Sequence, residues 1–388
     1  MRGKYRVRCD ISVYAIIALM ALMAVMKIGV GSASVRADGG APQLAYVAGG
    51  GAGVSMIDIA DQRVRRTLTE GGGPQMVLLS PDGRSLYLAQ PELGRVSSID
   101  ASTGRARCVA RLPGRPERLA LSLDASTLYA AGQDDSGVRA LNPQTCAVKR
   151  TFQTHEAVYG MAVAANTTDS ANPGTPGQLW ICGDTTLTVF EETGHLLGTL
   201  RIEEGPRNIS IPGGFSAYIT TRQGSVIAID LNSRRVLRTL LRGGQFGPMD
   251  YDDTTGQVYV PDLQHHQLDV LTPVDADTRG QPREPVQIIP LSGVPASVAI
   301  TNDGQLGFVA LSGGDVMMLD IPARRSIASI HVGGAPHFII TGLYPPTLAP
   351  PPTPARPTTN PLMYILPCLA VGALVVWWRI NRRRAPNL

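Results

Sequence analysis

Residues 71–112 (GGGPQMVLLSPDGRSLYLAQPELGRVSSIDASTGRARCVARL) alternate short apolar runs with polar turn chemistry. Runs this brief, bounded by Gly, Pro and Asp, predict strands rather than helices. Four strands are expected: Gln75–Ser80, Ser85–Ala89, Arg95–Asp100 and Ala106–Leu112. Pro81-Asp82-Gly83 fills the first gap and Ser102-Thr103-Gly104 the last, both turn-forming sequences.

The unit recurs. An aromatic marks each second strand at Tyr46, Tyr87, Tyr129, Trp180, Tyr218, Tyr259 and Phe308, at spacings of 41, 42, 51, 38, 41 and 49 residues. The two longest intervals hold polar segments, 166–177 and 272–285, that predict surface loops. First strands follow a Gly/Pro approach such as Gly73-Pro74, Gly205-Pro206 or Gly247-Pro248. Proline is tolerated there because a strand's first residue can lose its ladder donor. Third strands end at Asp58, Asp100, Asn142, Glu191, Asp230 and Asp320, with Thr272 the exception. A short polar side chain in that place bonds the backbone of the next turn.

Four-stranded units repeating at this period predict propeller blades. Leu44–Thr69 supplies strands two to four without a first, and Ala335–Gly342 is a first strand with nothing after it. Joined, they close a ring and remove the exposed sheet edges of an open array. The expectation is an all-β, seven-bladed β-propeller with a split closing blade over residues 38–343.

Composition adds to this picture. Gly at 42, Pro at 30 and aromatics at 5% suit an all-β chain rich in turns. The net charge of +4 comes from the ends: Arg2, Lys4, Arg6 and Arg8 open the chain, and Arg379, Arg382, Arg383 and Arg384 close it. Without those eight, residues 9–378 carry −4; without Lys27, Arg36, Arg356 and Asp10 as well, 38–343 carry −6. A mildly acidic body argues against a nucleic-acid partner. Of five cysteines, Cys9 and Cys368 belong to the ends and Cys108, Cys146 and Cys182 to the body. Without C-x-x-C spacing they predict no metal site. One bridge has two options, 108–146 or 146–182; the simpler reading is small apolar strand residues.

The termini predict membrane targeting. A basic start and the apolar run Ile11–Met26 precede small residues and Val35-Arg36-Ala37, the pattern of a signal peptide or a retained N-terminal anchor over 1–37. Residues 344–361 form a Pro/Thr-rich spacer, which is extended and semi-rigid. Leu362–Trp378 then predicts a transmembrane helix, with Trp377 and Trp378 at the headgroups and a basic cytoplasmic tail over 379–388. No L-P-x-T-G pentapeptide occurs, so wall attachment is rejected. This order places the propeller on the extracytoplasmic side of the cell membrane.

The run Gly73-Pro74, Leu79-Ser80-Pro81-Asp82-Gly83, Leu86-Tyr87-Leu88, Ile99-Asp100, Thr103-Gly104 resembles the repeat of the YVTN family of seven-bladed β-propellers. Thr301-Asn302-Asp303-Gly304 and Met318-Leu319-Asp320 match in a later repeat. The resemblance covers 44–342. It implies the fold, and an envelope or surface-layer setting with no defined ligand. Marks of WD40, sialidase and quinoprotein propellers are absent.

In a propeller, the residue after each Gly/Pro approach should ring the axis: Gln75, Glu117, Tyr159, Arg207, Met249, Ala296 and His337. A next ring would hold Met76, Arg118, Gly160, Asn208, Asp250, Ser297 and Phe338. Gln75, Glu117, Arg118, Tyr159, Arg207, Asp250 and His337 are thus candidates for binding at the channel mouth, with Asp134, Asp135, Asp262, His265, His266 and His155 nearby. The expected function is a membrane-tethered module binding a protein, peptide or small molecule. One alternative is a lactonase-like hydrolase using Glu117, Arg207 and His337, since these types can activate water or steady an oxyanion. The other is a passive envelope component. No phosphate loop, nucleophile elbow or zinc helix motif occurs, so no cofactor, metal or catalytic residue is assigned.

Overall fold

The computed structural model describes residues 44–50, 53–165, 176–213, 216–274 and 287–342. Seven antiparallel four-stranded sheets account for them. Blade 1 is built from Phe338–Gly342, Leu44–Gly50, Gly53–Asp58 and Arg63–Leu68, so the last strand of the body lies innermost beside the first. Leu44 pairs with Gly342 and Ala48 with Phe338, which closes the ring as the split repeat predicts. Blades 2 to 7 begin at Met76, Arg118, Gly160, Pro206, Asp250 and Pro295. The strands expected in blade 2 are present within a residue or so at each end, and a short 3-10 turn at Pro91–Leu93 adds to them. The leader, spacer, apolar C-terminal segment, basic tail and most of both polar insertions lie outside the described residues. Among the described residues no helix is long and apolar enough to cross a membrane.

Second strands are buried on both faces, as in Ser85–Gln90, while fourth strands such as Arg63–Leu68 are largely exposed. The middle of each blade is covered by both neighbouring blades, and the outer strand faces water. The core is accordingly divided into seven apolar layers, one in each gap between blades. Every marker aromatic sits in a second strand with 4% or less of its surface exposed. The layer between blades 7 and 1 joins Phe308 and Val316 to Val47 and Ile339, so closure is sealed by packing as well as by pairing.

Turn chemistry sets strand spacing. Asp100 accepts bonds from the backbone N–H groups of Ser102 and Thr103, and Asn142 does so from Gln144 and Thr145. Asp58, Asp230 and Asp320 repeat the device. Gly83 adopts φ 66° at the end of the Ser80-Pro81-Asp82-Gly83 turn, where its N–H donates to the Ser80 carbonyl.

The cysteine reading needs one correction. Cys108 and Cys146 form a disulfide, with Cα atoms 5.7 Å apart, and Cys182 is free and buried. The pair is 38 residues apart, nearly one repeat. Cys108 lies on the fourth strand of blade 2, and Cys146 in the turn before the fourth strand of blade 3. Lateral stacking of two blades brings them together. Cys182 does fit the apolar reading: it packs in the layer between blades 4 and 5, and burial pushes its thiol pKa far up.

Candidate functional site at the channel mouth

The loops entering each first strand and the loops joining second to third strands share one face, and hydrogen bonds stitch them together. Gln90 Nε2 donates to the Gly71 carbonyl at 2.5 Å. The Glu156 carboxylate takes bonds from the backbone N–H and hydroxyl of both Thr185 and Thr186. Arg222 N–H reaches the Gly205 carbonyl at 2.7 Å, and Leu263 N–H reaches Gln245 at 2.8 Å. This stitching holds the innermost strands in register around the axis.

Beneath the mouth is a cavity of about 90 Å³. Met76, Arg118, Gly160, Asn208 and Phe338 line it, five of the seven positions expected for the second ring. Gly160 is required there: a Cβ would fall 2.1 Å from the Arg207 carbonyl oxygen of the next blade. The other two positions depart. Ser297 is fully buried. Asp250 turns towards blade 7, where Oδ2 accepts from the Ile300 N–H at 2.7 Å; burial pushes its pKa up to about 6. In blade 6 the cavity is lined by Met249 and Pro248 instead. The first strand of that blade is only Asp250–Tyr251, and a one-residue offset sends a side chain to the opposite face.

The polar residues of the mouth converge over blades 3 to 5. Arg118 Nε donates to the Tyr159 carbonyl at 2.6 Å. The Arg207 guanidinium lies 3.6 Å from the centre of the Tyr159 ring, a cation–π contact, and Nη1 donates to the Pro206 carbonyl at 2.9 Å. Tyr159 Oη donates to Asp184 Oδ1 at 2.7 Å, and this bond, with burial, raises the phenol's pKa. Burial lowers the pKa of Arg118, and the charge of Glu117 opposes it. Arg207 is lowered by burial too, and the positive charge of Arg222 adds to the effect. Among the described residues neither Arg118 nor Arg207 lies within ion-pair distance of a carboxylate.

The remaining candidates keep to their own blades. Glu117 Oε2 accepts from Gln133 Nε2 at 2.9 Å. Gln75 N–H pairs with the Ala89 carbonyl at 2.9 Å. The His337 ring rests on Gly49, where a Cβ would lie 2.6 Å from its Cδ2, and burial lowers its pKa. No hydrogen bond or ion pair joins Glu117, Arg207 and His337. Asp135 is paired with Arg139 at 2.8 Å, and His265 Nδ1 with Asp262 Oδ2 at 2.6 Å. No group of three or more His, Cys, Asp or Glu able to hold a metal occurs among the described residues. Sequence reasoning missed Asp184 and Arg222. They lie in loops between second and third strands, where the repeat fixes no residue type, and only their polarity beside a strand end marks them.

No family model matches the sequence, and no curated protein matches it either. Solved structures do resemble the fold. The periplasmic gluconolactonase PpgL of Pseudomonas aeruginosa superposes with TM-score 0.62 at 18% identity, over 76% of this chain and 98% of that one. The Cps50 (Swd1) β-propeller domain of Myceliophteria thermophila gives 0.56 at 13%, over 69% and 88%. Hydrazine synthase of Kuenenia stuttgartiensis gives 0.55 at 16%, over 71% and 90%. At these identities the likeness is one of fold.

Proposed function

We propose that this chain is a membrane-tethered, extracytoplasmic binding module of YVTN type, whose ligand docks at the channel mouth over blades 3 to 5. The observation that carries the reading is the pair Arg118 and Arg207. Both guanidiniums meet on Tyr159 and both are partly desolvated. Among the described residues neither has a carboxylate within ion-pair distance, Glu117 and Asp184 acting on them only from further away. Desolvated charge of this kind is costly unless something compensates it. A ligand group or a partner's side chain would do so. The hydrolase reading is less favoured because Glu117, Arg207 and His337 are each held by separate contacts.

Location rests on the leader, spacer, apolar segment and basic tail of the sequence. The Cys108–Cys146 bridge supports it, since disulfides persist in oxidising compartments. Protease added to intact cells should digest the propeller and spare a tag on the C-terminal tail; the reverse pattern would reject the topology. Docking is tested by a photoreactive residue at Gln75, on the mouth face, against one at Asp82, on the opposite face. Adducts in cells should form at position 75; adducts only at 82 would retire the mouth as the site.

A further inference from the structure

We infer that the cavity under the mouth takes the carboxylate of a short-chain organic acid, with Arg118 as its charge partner; this rests on the binding reading above. An arginine carries five N–H donors. Arg118 commits Nε to the Tyr159 carbonyl, and no described residue accepts from either of its Nη groups. Arg118 is one of the residues that line the cavity. A planar fork with both Nη atoms free matches a carboxylate in two parallel bonds.

The rest of the cavity selects the ligand's body. Met76, Met161, Met249 and Phe338 give apolar walls, and thioether side chains adapt to irregular shapes. Apart from Arg118 its one polar side chain is Asn208, whose Nδ2 donates to Thr220 Oγ1 at 3.1 Å, and the Leu119 N–H is taken by Met76 Sδ at 3.2 Å. Few donors are left for a second negative charge, so a monoanion fits better than a phosphate. The volume of about 90 Å³ equals roughly three waters at about 30 Å³ each, which suits a chain of a few carbons. At the rim the charges of Arg207 and Arg222 are offset by Asp184 and Glu117, so the preference for an anion over an amine rests on the Arg118 fork itself.

The full chain in detergent micelles should be titrated calorimetrically with butyrate, butan-1-ol, n-butylammonium and inorganic phosphate at one pH and ionic strength. Butyrate should bind at least about ten-fold more tightly than the alcohol, as a charge-assisted hydrogen bond predicts. The ammonium should not bind, and phosphate should bind more weakly than butyrate. Arg118→Met should bring butyrate down to the alcohol's affinity. Arg118→Lys, which keeps the charge and loses the fork, should fall between and remains informative should the Met variant fail to fold. Equal binding of acid and alcohol, preference for phosphate, or butyrate affinity unchanged in the folded variants would overturn the assignment. Adducts at Gln75 depend on neither butyrate nor Arg118, so the mouth reading fails or survives separately.

Discussion

Asp250 shows what a single buried carboxyl does to this fold. Its native pKa of about 6 lies above the ordinary aspartate value of 3.8, so the native state holds the proton more tightly than the unfolded chain. Stability therefore falls as pH rises from about 4 to about 6, and the full cost is present above that window. Asp250→Asn keeps an oxygen for the Ile300 N–H and removes the charge. Denaturant unfolding should show the variant more stable by on the order of 1–3 kcal/mol at neutral pH, with the gain gone below about pH 4. Asp100 has the opposite sign. Hydrogen bonds from Ser102, then Arg107 and Thr103, hold its carboxyl well below the usual range. Its contribution is present above the ordinary carboxylate pKa and fades as pH falls through the depressed value.

At the scale of strands and blades, the disulfide links two neighbouring elements and should stabilise both. Closing a loop of 38 residues corresponds to about 4 kcal/mol in the chain-entropy model. Replacing Cys108 and Cys146 together by Ala should cost about 2–4 kcal/mol in thermal or denaturant unfolding. Reductant should lower the wild-type transition to that of the variant and leave the variant unmoved. The same scale explains what the sequence disclosed. Marker aromatics, turn aspartates and the split repeat are local patterns, and each falls where the pattern puts it. The cysteine pairing was legible only as one of two options, because choosing between them depends on lateral stacking between blades. The axial positions were legible in five blades, as at Met76 and Arg118. They failed at Asp250, where the first strand shrinks to two residues and the facing side chain changes, and at Ser297, beside a register shift in its strand pairing. Asp184 and Arg222 escaped because their loops carry no repeating mark.

Over the whole molecule, stability rests on seven apolar layers that form a closed circuit, so the layer joining blades 7 and 1 guards all the others. Ile339 is 1% exposed within it. Ile339→Asp buries an unpaired charge at the closure and should cost more than about 4 kcal/mol. Ile327→Asp, at a position 42% exposed on the outer strand of blade 7, should change stability by no more than about 0.5 kcal/mol. Unfolding midpoints of the two variants would check the contrast. The closing pair also decides how the ring responds to force. The chain enters blade 1 at Leu44 and leaves it at Gly342, which are paired opposite one another at the same end of two antiparallel strands. A pull on both flanks would load one hydrogen-bonded rung at a time and unzip the seam from that end, with the other six blades bearing no tension until it opens. The seam is thus a mechanical fuse: under load the ring opens at a defined place, and the innermost strand of blade 1 is the first to leave.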